Sequence, residues 1–418
     1  MKVLIKQARI ICSSSTHHGT TKDILIHNGI IEKIAENITD STSQVIELPH
    51  LHVSIGWMDS FAQFSDPGFE YRETLKSGTH AAAAGGFTDV MIVPNTYPVI
   101  DNKTQIEYIQ QKSSSLAVNI HPIGAITKKT EGKELTEMYD MFQSGAIAFS
   151  DGLNAVQSSP ILIKALQYVL GNDTTIIQLP DDCSIAPNGL MNESVTSTQL
   201  GLPGKPAIAE ELMIARDIEL LRYTNSKLHI TGISTKKSID IIKQAKKEGL
   251  NVSCSCTPYH CLFNEEDLTE YDTHLKVNPP LRSKEDMIAI RKALLDKTID
   301  CIASHHIPLH TDDKVCEFEY AKFGMIGLES LFGGINSFYE NIYELIDQLS
   351  MNPRRIFKTV LPKIEENVPA CLTLFDPIST YTFENKHIKS TSKNSPFIGK
   401  ELKGKVIGII NKNKVILN

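Results

Sequence analysis

The sequence lacks several features, and each absence excludes a class of protein. It has no long basic block, and its formal net charge is -7, from 42 Lys and Arg against 49 Asp and Glu. Such a balance leaves no electrostatic footprint for nucleic acid. No apolar run approaches the roughly 18 residues that a membrane-spanning helix requires. The opening Met1-Lys-Val-Leu-Ile-Lys6 meets charge too soon to read as a secretory signal. Eight cysteines among 418 residues are too sparse for a disulfide framework, so a reducing cytoplasm is the expected compartment. There is no Gly-rich dinucleotide fingerprint after the first barrel-type strand, no internal repeat and no low-complexity tract.

What is present is an ordinary globular composition, 41% hydrophobic and 22% charged. The length favours one large α/β domain with a smaller appendage. Both ends read as β. Lys2–Ile11 forms a strand, Ser13–Thr21 a polar loop, and Asp23–His27 and Ile30–Ile34 a hairpin around Asn28-Gly29. Cys371–Phe375, Gly404–Ile410 and Lys414–Leu417 repeat that texture, with a turn at Lys412-Asn413. Residues 1–53 and 363–418 are therefore expected to share one small β-sandwich, because a module of this size cannot protect its edges alone.

Residues 54–362 alternate short apolar strands with amphipathic helices. Candidate strands are His52–Phe61, Thr88–Pro94, Val118–Ile126, Ala146–Ser150, Thr175–Gln178, Lys227–Ile233, Asn251–Thr257 and Ile299–Ser304. Candidate helices are Thr74–Ala84, Thr104–Gln111, Ser159–Leu170, Ala207–Tyr223, Lys236–Glu248 and Lys284–Leu295. Eight such units predict a (β/α)8 TIM-like barrel, with chemistry at the C-terminal strand ends. An open doubly wound sheet is the alternative.

The most informative stretch is residues 55–68, Ile-Gly-Trp-Met-Asp-Ser-Phe-Ala-Gln-Phe-Ser-Asp-Pro-Gly. Two-residue spacing places Asp59, Phe61 and Gln63 on one face of a strand, pointing into a barrel mouth. A two-metal hydrolase needs several imidazoles and carboxylates there, so that the metals polarise the carbonyl and lower the pKa of a bound water to about 7. This face offers one carboxylate, one ring and one amide.

The stretch resembles Pro-Gly-Phe-Ile-Asp-x-His-x-His-x-Arg-x-Pro-Gly of dihydroorotases, in the amidohydrolase superfamily of metal-dependent hydrolases. In that family the two histidines hold a zinc pair and the arginine grips the substrate carboxylate. Phe61, Gln63 and Ser65 stand at those places. Phenylalanine cannot ligate a metal, glutamine is a poor zinc ligand, and serine cannot pair bidentately with a carboxylate.

The resemblance runs from about residue 45 to the end. Phe69-Glu-Tyr-Arg-Glu-Thr, Ala81-Ala-Ala-Ala-Gly-Gly-Phe-Thr, Gly189-Leu-Met-Asn-Glu, Leu200-Gly-Leu-Pro-Gly, Phe323-Gly-Met-Ile-Gly-Leu-Glu329 and Ser392-Lys-Asn-Ser-Pro-Phe397 all look like the family's scaffold. Asn95, in Pro94-Asn95-Thr96, and Asn278 and Arg282, in Asn278-Pro-Pro-Leu-Arg282, fall in substrate-side loops and inherit a possible ligand-binding role. Asp151, in Phe149-Ser-Asp-Gly152, matches the metal-bridging carboxylate, although one aspartate of the family's turn is missing. The chemical positions change together. Gln178 replaces the fifth-strand histidine and Gly232 the second sixth-strand histidine, while His229 survives. His305 replaces the eighth-strand aspartate that is both ligand and base, and Leu309 replaces a substrate-contacting histidine, with His310 one residue on.

Several readings follow from the resemblance. The leading one is a catalytically degenerate dihydroorotase-like pseudoenzyme of pyrimidine (UMP) biosynthesis, with no metal or other cofactor. It would be a scaffold for aspartate transcarbamoylase and a homo-oligomer. The second is an active cyclic amide hydrolase with an altered metal set, zinc included, and His305 as general base, with Asp151 the other catalytic candidate. The third is a sensor that binds an orotate-like anion through Asn95, Asn278 and Arg282; Arg282 could equally brace its loop. His50-Leu-His52 reads as ordinary strand or loop, and His229 as a core histidine. Cys254, Cys256 and Cys261 read as core filling rather than zinc ligands. A metal held by His305, His306, His260 and Asp151 is disfavoured, because adjacent histidines on a strand face opposite ways. Phe61 and Phe64 are expected to fill the space that metals would take.

Overall fold

The computed structural model describes residues 2–418. Its N-terminal strands are β1 (Lys2–Ile11), β2 (Thr21–His27), β3 (Ile30–Ala35), β4 (Gln44–Ile46) and β5 (His52–Ile55). The barrel strands are β6 (Trp57–Ala62), β7 (Phe87–Ile92), β8 (Asn119–Gly124), β9 (Ala148–Phe149) and β10 (Thr175–Gln178). A short pair, β11 (Met191–Asn192) and β12 (Gly204–Lys205), intervenes before β13 (Leu228–Ile230), β14 (Val252–Cys256) and β15 (Cys301–Ile302). The chain ends in β16 (Leu372–Thr382), β17 (Glu401–Asn411) and β18 (Lys414–Leu417).

The eight barrel strands pair in chain order, all parallel. A parallel bridge from Ala62 to His306 joins the first strand to the segment after β15, and Gln63 N–H donates to His306 O at 2.8 Å. The sheet thus curls into a nearly closed barrel. Met58, Phe61, Met91, Ile123, Ile177 and Ala303 meet inside it as one apolar cluster. Helices Leu75–Ala84, Lys103–Ser113, Ser159–Tyr168, Ile208–Thr224, Lys236–Lys247 and Lys284–Leu295 cover its outside. Four begin at caps, where Thr74, Asn102, Thr235 and Ser283 accept the backbone N–H three residues on.

The other sheet takes strands from both chain ends. β5 runs antiparallel to β16 and parallel to β1, giving the order β18-β17-β16-β5-β1-β2-β3 with β4 beside β1. Two-residue turns close its hairpins. Asn28 and Gly29 sit at φ 49° and 79°, and Lys412 and Asn413 at 48° and 58°, matching the strand twist.

The run 52–61, expected as one strand, is divided. Residues 52–55 belong to the terminal sheet and β6 to the barrel, with Gly56 between them. A Cβ at Gly56 would lie 2.1 Å from Thr88 Oγ1, so only glycine lets the chain pass here. Among the described residues no helix is long and apolar enough to cross a membrane.

Candidate functional site

The C-terminal strand ends gather the residues singled out from sequence, and nearly all of them are buried against one another. Asp59 faces the eighth strand, where its carboxylate accepts from Ser304 N–H at 2.6 Å and Ser304 Oγ–H at 2.7 Å. Burial pushes its pKa up to about 6. Phe61 is 1% exposed and stacks on His305, with ring centroids 4.4 Å apart. Gln63 donates through Nε2 to Asn95 O at 3.0 Å. Ser65 is fully buried.

Phe64 departs from expectation. It is three residues from Phe61, so it leaves the strand on the other side. It packs outside the barrel against Gly78 of the first helix, where a Cβ would come within 2.7 Å of its ring. Only Phe61 of the pair joins the cluster inside the barrel.

His305 adopts φ 43° and is fully buried. Its Nε2 meets Thr231 Oγ1 at 2.7 Å. Thr231 meets Ser255 Oγ at 2.9 Å, and Ser255 meets His229 Nε2 at 3.0 Å. His229 Nδ1 ends the relay on Ser253 Oγ at 2.9 Å. His260 is held separately by Thr257 Oγ1 at 2.9 Å and Pro279 O at 3.1 Å. Burial drives the pKa of all three imidazoles down to about 3. His306 points the other way. Its Nδ1 accepts from Gly327 N–H at 3.3 Å, and its Nε2 lies 3.5 Å from Glu73. Glu73 itself receives Thr391 N–H at 3.2 Å and the Ser390 hydroxyl.

Asp151 turns to Thr127, accepting its N–H at 2.8 Å and its hydroxyl at 2.5 Å. Burial raises its pKa to about 6. Gln178 accepts from Val156 N–H and donates to Asp217, both at 3.3 Å. Asn95 bridges two loops. Its Nδ2 donates to Asp151 O at 3.1 Å, and its Oδ1 accepts Leu153 N–H at 2.8 Å. Asn278 donates to Asp181 at 3.2 Å, beside the Lys205–Asp181 ion pair at 2.6 Å.

Arg282 is 3% exposed. Its guanidinium donates to Ser234 Oγ at 2.9 Å, Asn192 Oδ1 at 3.0 Å, Lys205 O at 3.1 Å and Glu210 at 3.4 Å. It thereby ties the loop after the seventh strand to β11, β12 and the helix Ile208–Thr224. Glu210, Thr127 and Glu73 were not singled out from sequence. An acid three residues into a helix and a threonine after a strand carry no signal until the fold brings them to Arg282, Asp151 and His306.

The remaining candidates lie apart. His310 is on the surface, where it caps Asp312 N–H at 3.3 Å. His52 sits in the terminal sheet against Phe375 and bonds His50 O at 2.7 Å. Cys254, Cys256 and Cys261 are buried in the core around the barrel, the last two with sulfurs 3.8 Å apart.

A family model described as "Dihydro-orotase-like" matches residues 52–238. A dihydroorotase of Syntrophus aciditrophicus is 37% identical over 100% of this chain and 99% of its own length. One of Geobacter metallireducens is 39% identical over the same shares. Among solved structures, an L-hydantoinase (dihydropyrimidinase) from Arthrobacter aurescens matches with a TM-score of 0.85 at 20% identity, covering 100% of this chain and 96% of its own. A D-hydantoinase from a Thermus species matches with a TM-score of 0.82 at 18% identity, covering 100% and 95%. The barrel fold is therefore shared with these hydantoinases. The full-length relatives make this chain a member of the dihydroorotase family.

The zinc pair implied by the resemblance does not fit these side chains. Among the described residues no group of three or more His, Cys, Asp or Glu could hold a metal ion. Gly232 sits at φ 72°, and a Cβ there would approach His305 Cε1 and Leu179 Cδ1 to 2.9 Å. The imidazole of His305 and the ring of Phe61 occupy the strand ends where ligands would converge.

Proposed function

We propose that this dihydroorotase-like chain serves pyrimidine (UMP) biosynthesis without catalysing the interconversion of carbamoyl aspartate and dihydroorotate. It acts as a non-catalytic scaffold for aspartate transcarbamoylase and forms its own oligomer through the helices around the barrel. The observation that carries this reading is the Phe61–His305 stack in place of a donor set. Hydrolysis of a cyclic amide needs an activated water and a polarised carbonyl. Here the carboxylates that could help are turned away, Asp59 to Ser304 and Asp151 to Thr127.

The alternative, an active hydrolase using His305 as base, has one observation in its favour: His305 Nδ1 is buried without a hydrogen-bond partner. Its low basicity argues against that role, since a general base works best with a pKa near the operating pH. General base catalysis supplies about 10²–10⁴-fold, whereas enzymes typically reach about 10⁶-fold or more.

The scaffold reading is tested by purifying the chain with aspartate transcarbamoylase. The expected result is a stable complex in which the transferase is active and added zinc brings no dihydroorotate turnover. Failure of the two proteins to associate would remove the scaffold role.

A further inference from the structure

A concave site lies outside the cluster of residues at the barrel mouth. It is a pocket of about 360 Å³ between the loop 384–389, β16, β17 and the end of the first helix. Lys386, Lys389 and Lys405 line it with His387, Tyr381 and Glu329. Apart from Glu329, which ends the family-like stretch 323–329, nothing in the resemblance or in the mouth chemistry uses these residues.

The charges in this pocket are not mutually neutralised. Glu384 pairs with Lys386 at 2.5 Å. Glu329 accepts the backbone N–H groups of Lys389 and Ser390 at 3.1 and 3.0 Å. Asp376, opposite Lys405 in the ladder, receives Ile378 N–H, Ser379 N–H and Ser379 Oγ–H. Among the described residues, Lys389 and Lys405 have no carboxylate within ion-pair distance, and Lys389 Nζ reaches only Lys386 O at 3.3 Å. Lys389 and Lys405 are exposed, so water screens their mutual repulsion, and an anion bound in the pocket would gain the attraction of both.

His387 is arranged as a donor. Its Nδ1 accepts from Glu384 N–H at 2.9 Å, so in the neutral ring the proton sits on Nε2. Tyr381 and Phe383 hold the ring from two sides, at centroid distances of 5.2 and 5.9 Å.

We propose that this pocket binds a small phosphate-bearing anion through Lys389, Lys405 and His387. Tetrahedral oxyanions take several charge-assisted hydrogen bonds from separate donors, which ammonium and imidazole groups spaced around a cavity provide. The cavity has room for a compact organic body beyond the phosphate, so a phosphate monoester is the class of ligand. The loop that forms one wall continues into Ser390, Ser392 and Asn394, which bind Glu73, Arg72 O and Ile307 O near the barrel mouth. The proposal does not depend on whether the mouth is catalytic.

The test is a titration of the full-length, histidine-labelled protein with inorganic phosphate at constant ionic strength, following the His387 imidazole by NMR. Its resonance is assigned with His387→Gln. The pKa of His387 is held below the ordinary 6.5 by burial and by the neighbouring lysines, so a bound phosphate is expected to raise it. A saturable shift is expected, weakened at least about tenfold by Lys389→Gln or Lys405→Gln and retained in Lys405→Arg. No saturable shift, or one that survives the double Lys389→Gln/Lys405→Gln variant, overturns the proposal.

Discussion

The rings of Phe61 and His305 stack at 4.4 Å with only 25° between their planes. One residue comes from the first barrel strand, the other from the segment just after the eighth. The contact therefore helps close the barrel where the resemblance places the family's metal site. Replacing Phe61 by alanine is expected to cost about 3–5 kcal/mol, the range for deleting a buried phenyl ring. Urea denaturation with and without the substitution measures it. A loss below about 1 kcal/mol would mean that the strand ends are loosely packed.

Gly232 marks the second place where the mouth has closed. Gly232→Ala adds a Cβ against His305 and Leu179 at a positive φ. Overpacking costs roughly 1–3 kcal/mol, and the left-handed backbone about another 1–2 kcal/mol. Returning histidines at positions 61, 63 and 232 together is accordingly expected to destabilise the fold without producing stoichiometric zinc binding, as read by metal analysis after gel filtration.

Arg282 separates bracing from ligand binding. If it braces, Arg282→Ala leaves Glu210 buried without its cation and costs about 3–5 kcal/mol. Arg282→Lys recovers little, because one ammonium cannot replace the fork that reaches Ser234, Asn192 and Glu210. Thermal unfolding measures both variants. Dihydroorotate, carbamoyl aspartate and orotate are expected to leave the melting temperature of the parent chain unchanged. Stabilisation by any of them would support the sensor reading.

Much of the architecture was legible in the sequence. Thr175–Gln178, Lys414–Leu417 and Lys284–Leu295 fall where periodicity puts them, because their apolar spacing and flanking turns agree. The division at Gly56 was not legible. Residues 52–61 read as one strand, and only the approach of Thr88 makes the break. The helices Leu331–Ile335, Ile342–Leu349 and Met351–Ile356 also went unread. Two of them are short, of five and six residues, and the last carries Pro353 in its first turn, although Leu345, Ile346 and Leu349 give the middle one a readable buried face. At the site, the substituted residues are visible in the chain. Where Asp59, Asp151 and Arg282 turn is decided by Ser304, Thr127 and Glu210, which are 245, 24 and 72 residues away in sequence.

The buried titratable groups set the pH dependence of stability. His229, His260 and His305 are held at about 3 in the fold against an ordinary 6.5. Between those values the unfolded chain binds protons that the fold does not. Their contribution is complete above 6.5 and is lost as pH falls toward 3. Asp59, Asp151 and Asp217 act oppositely, being raised by burial from 3.8 to about 6. Their contribution is complete below 3.8 and is lost as pH rises through 6. The two sets offset each other between about pH 4 and 6. Denaturation midpoints are therefore expected to fall more steeply with acid in Asp59→Asn over that interval, and less steeply in His229→Gln from pH 6.5 downward. Parallel pH profiles for parent and variants would contradict these assignments.

The most direct measurement is metal content and turnover on one sample. The full-length chain is reconstituted with excess zinc, freed of loosely bound ions, and analysed for zinc per chain while dihydroorotate hydrolysis is assayed. The expected result is no stoichiometric zinc and no turnover above the uncatalysed rate. Two zincs per chain with enzyme-like hydrolysis of dihydroorotate would contradict the account, because the mouth would then have assembled a donor set from residues that here bind one another.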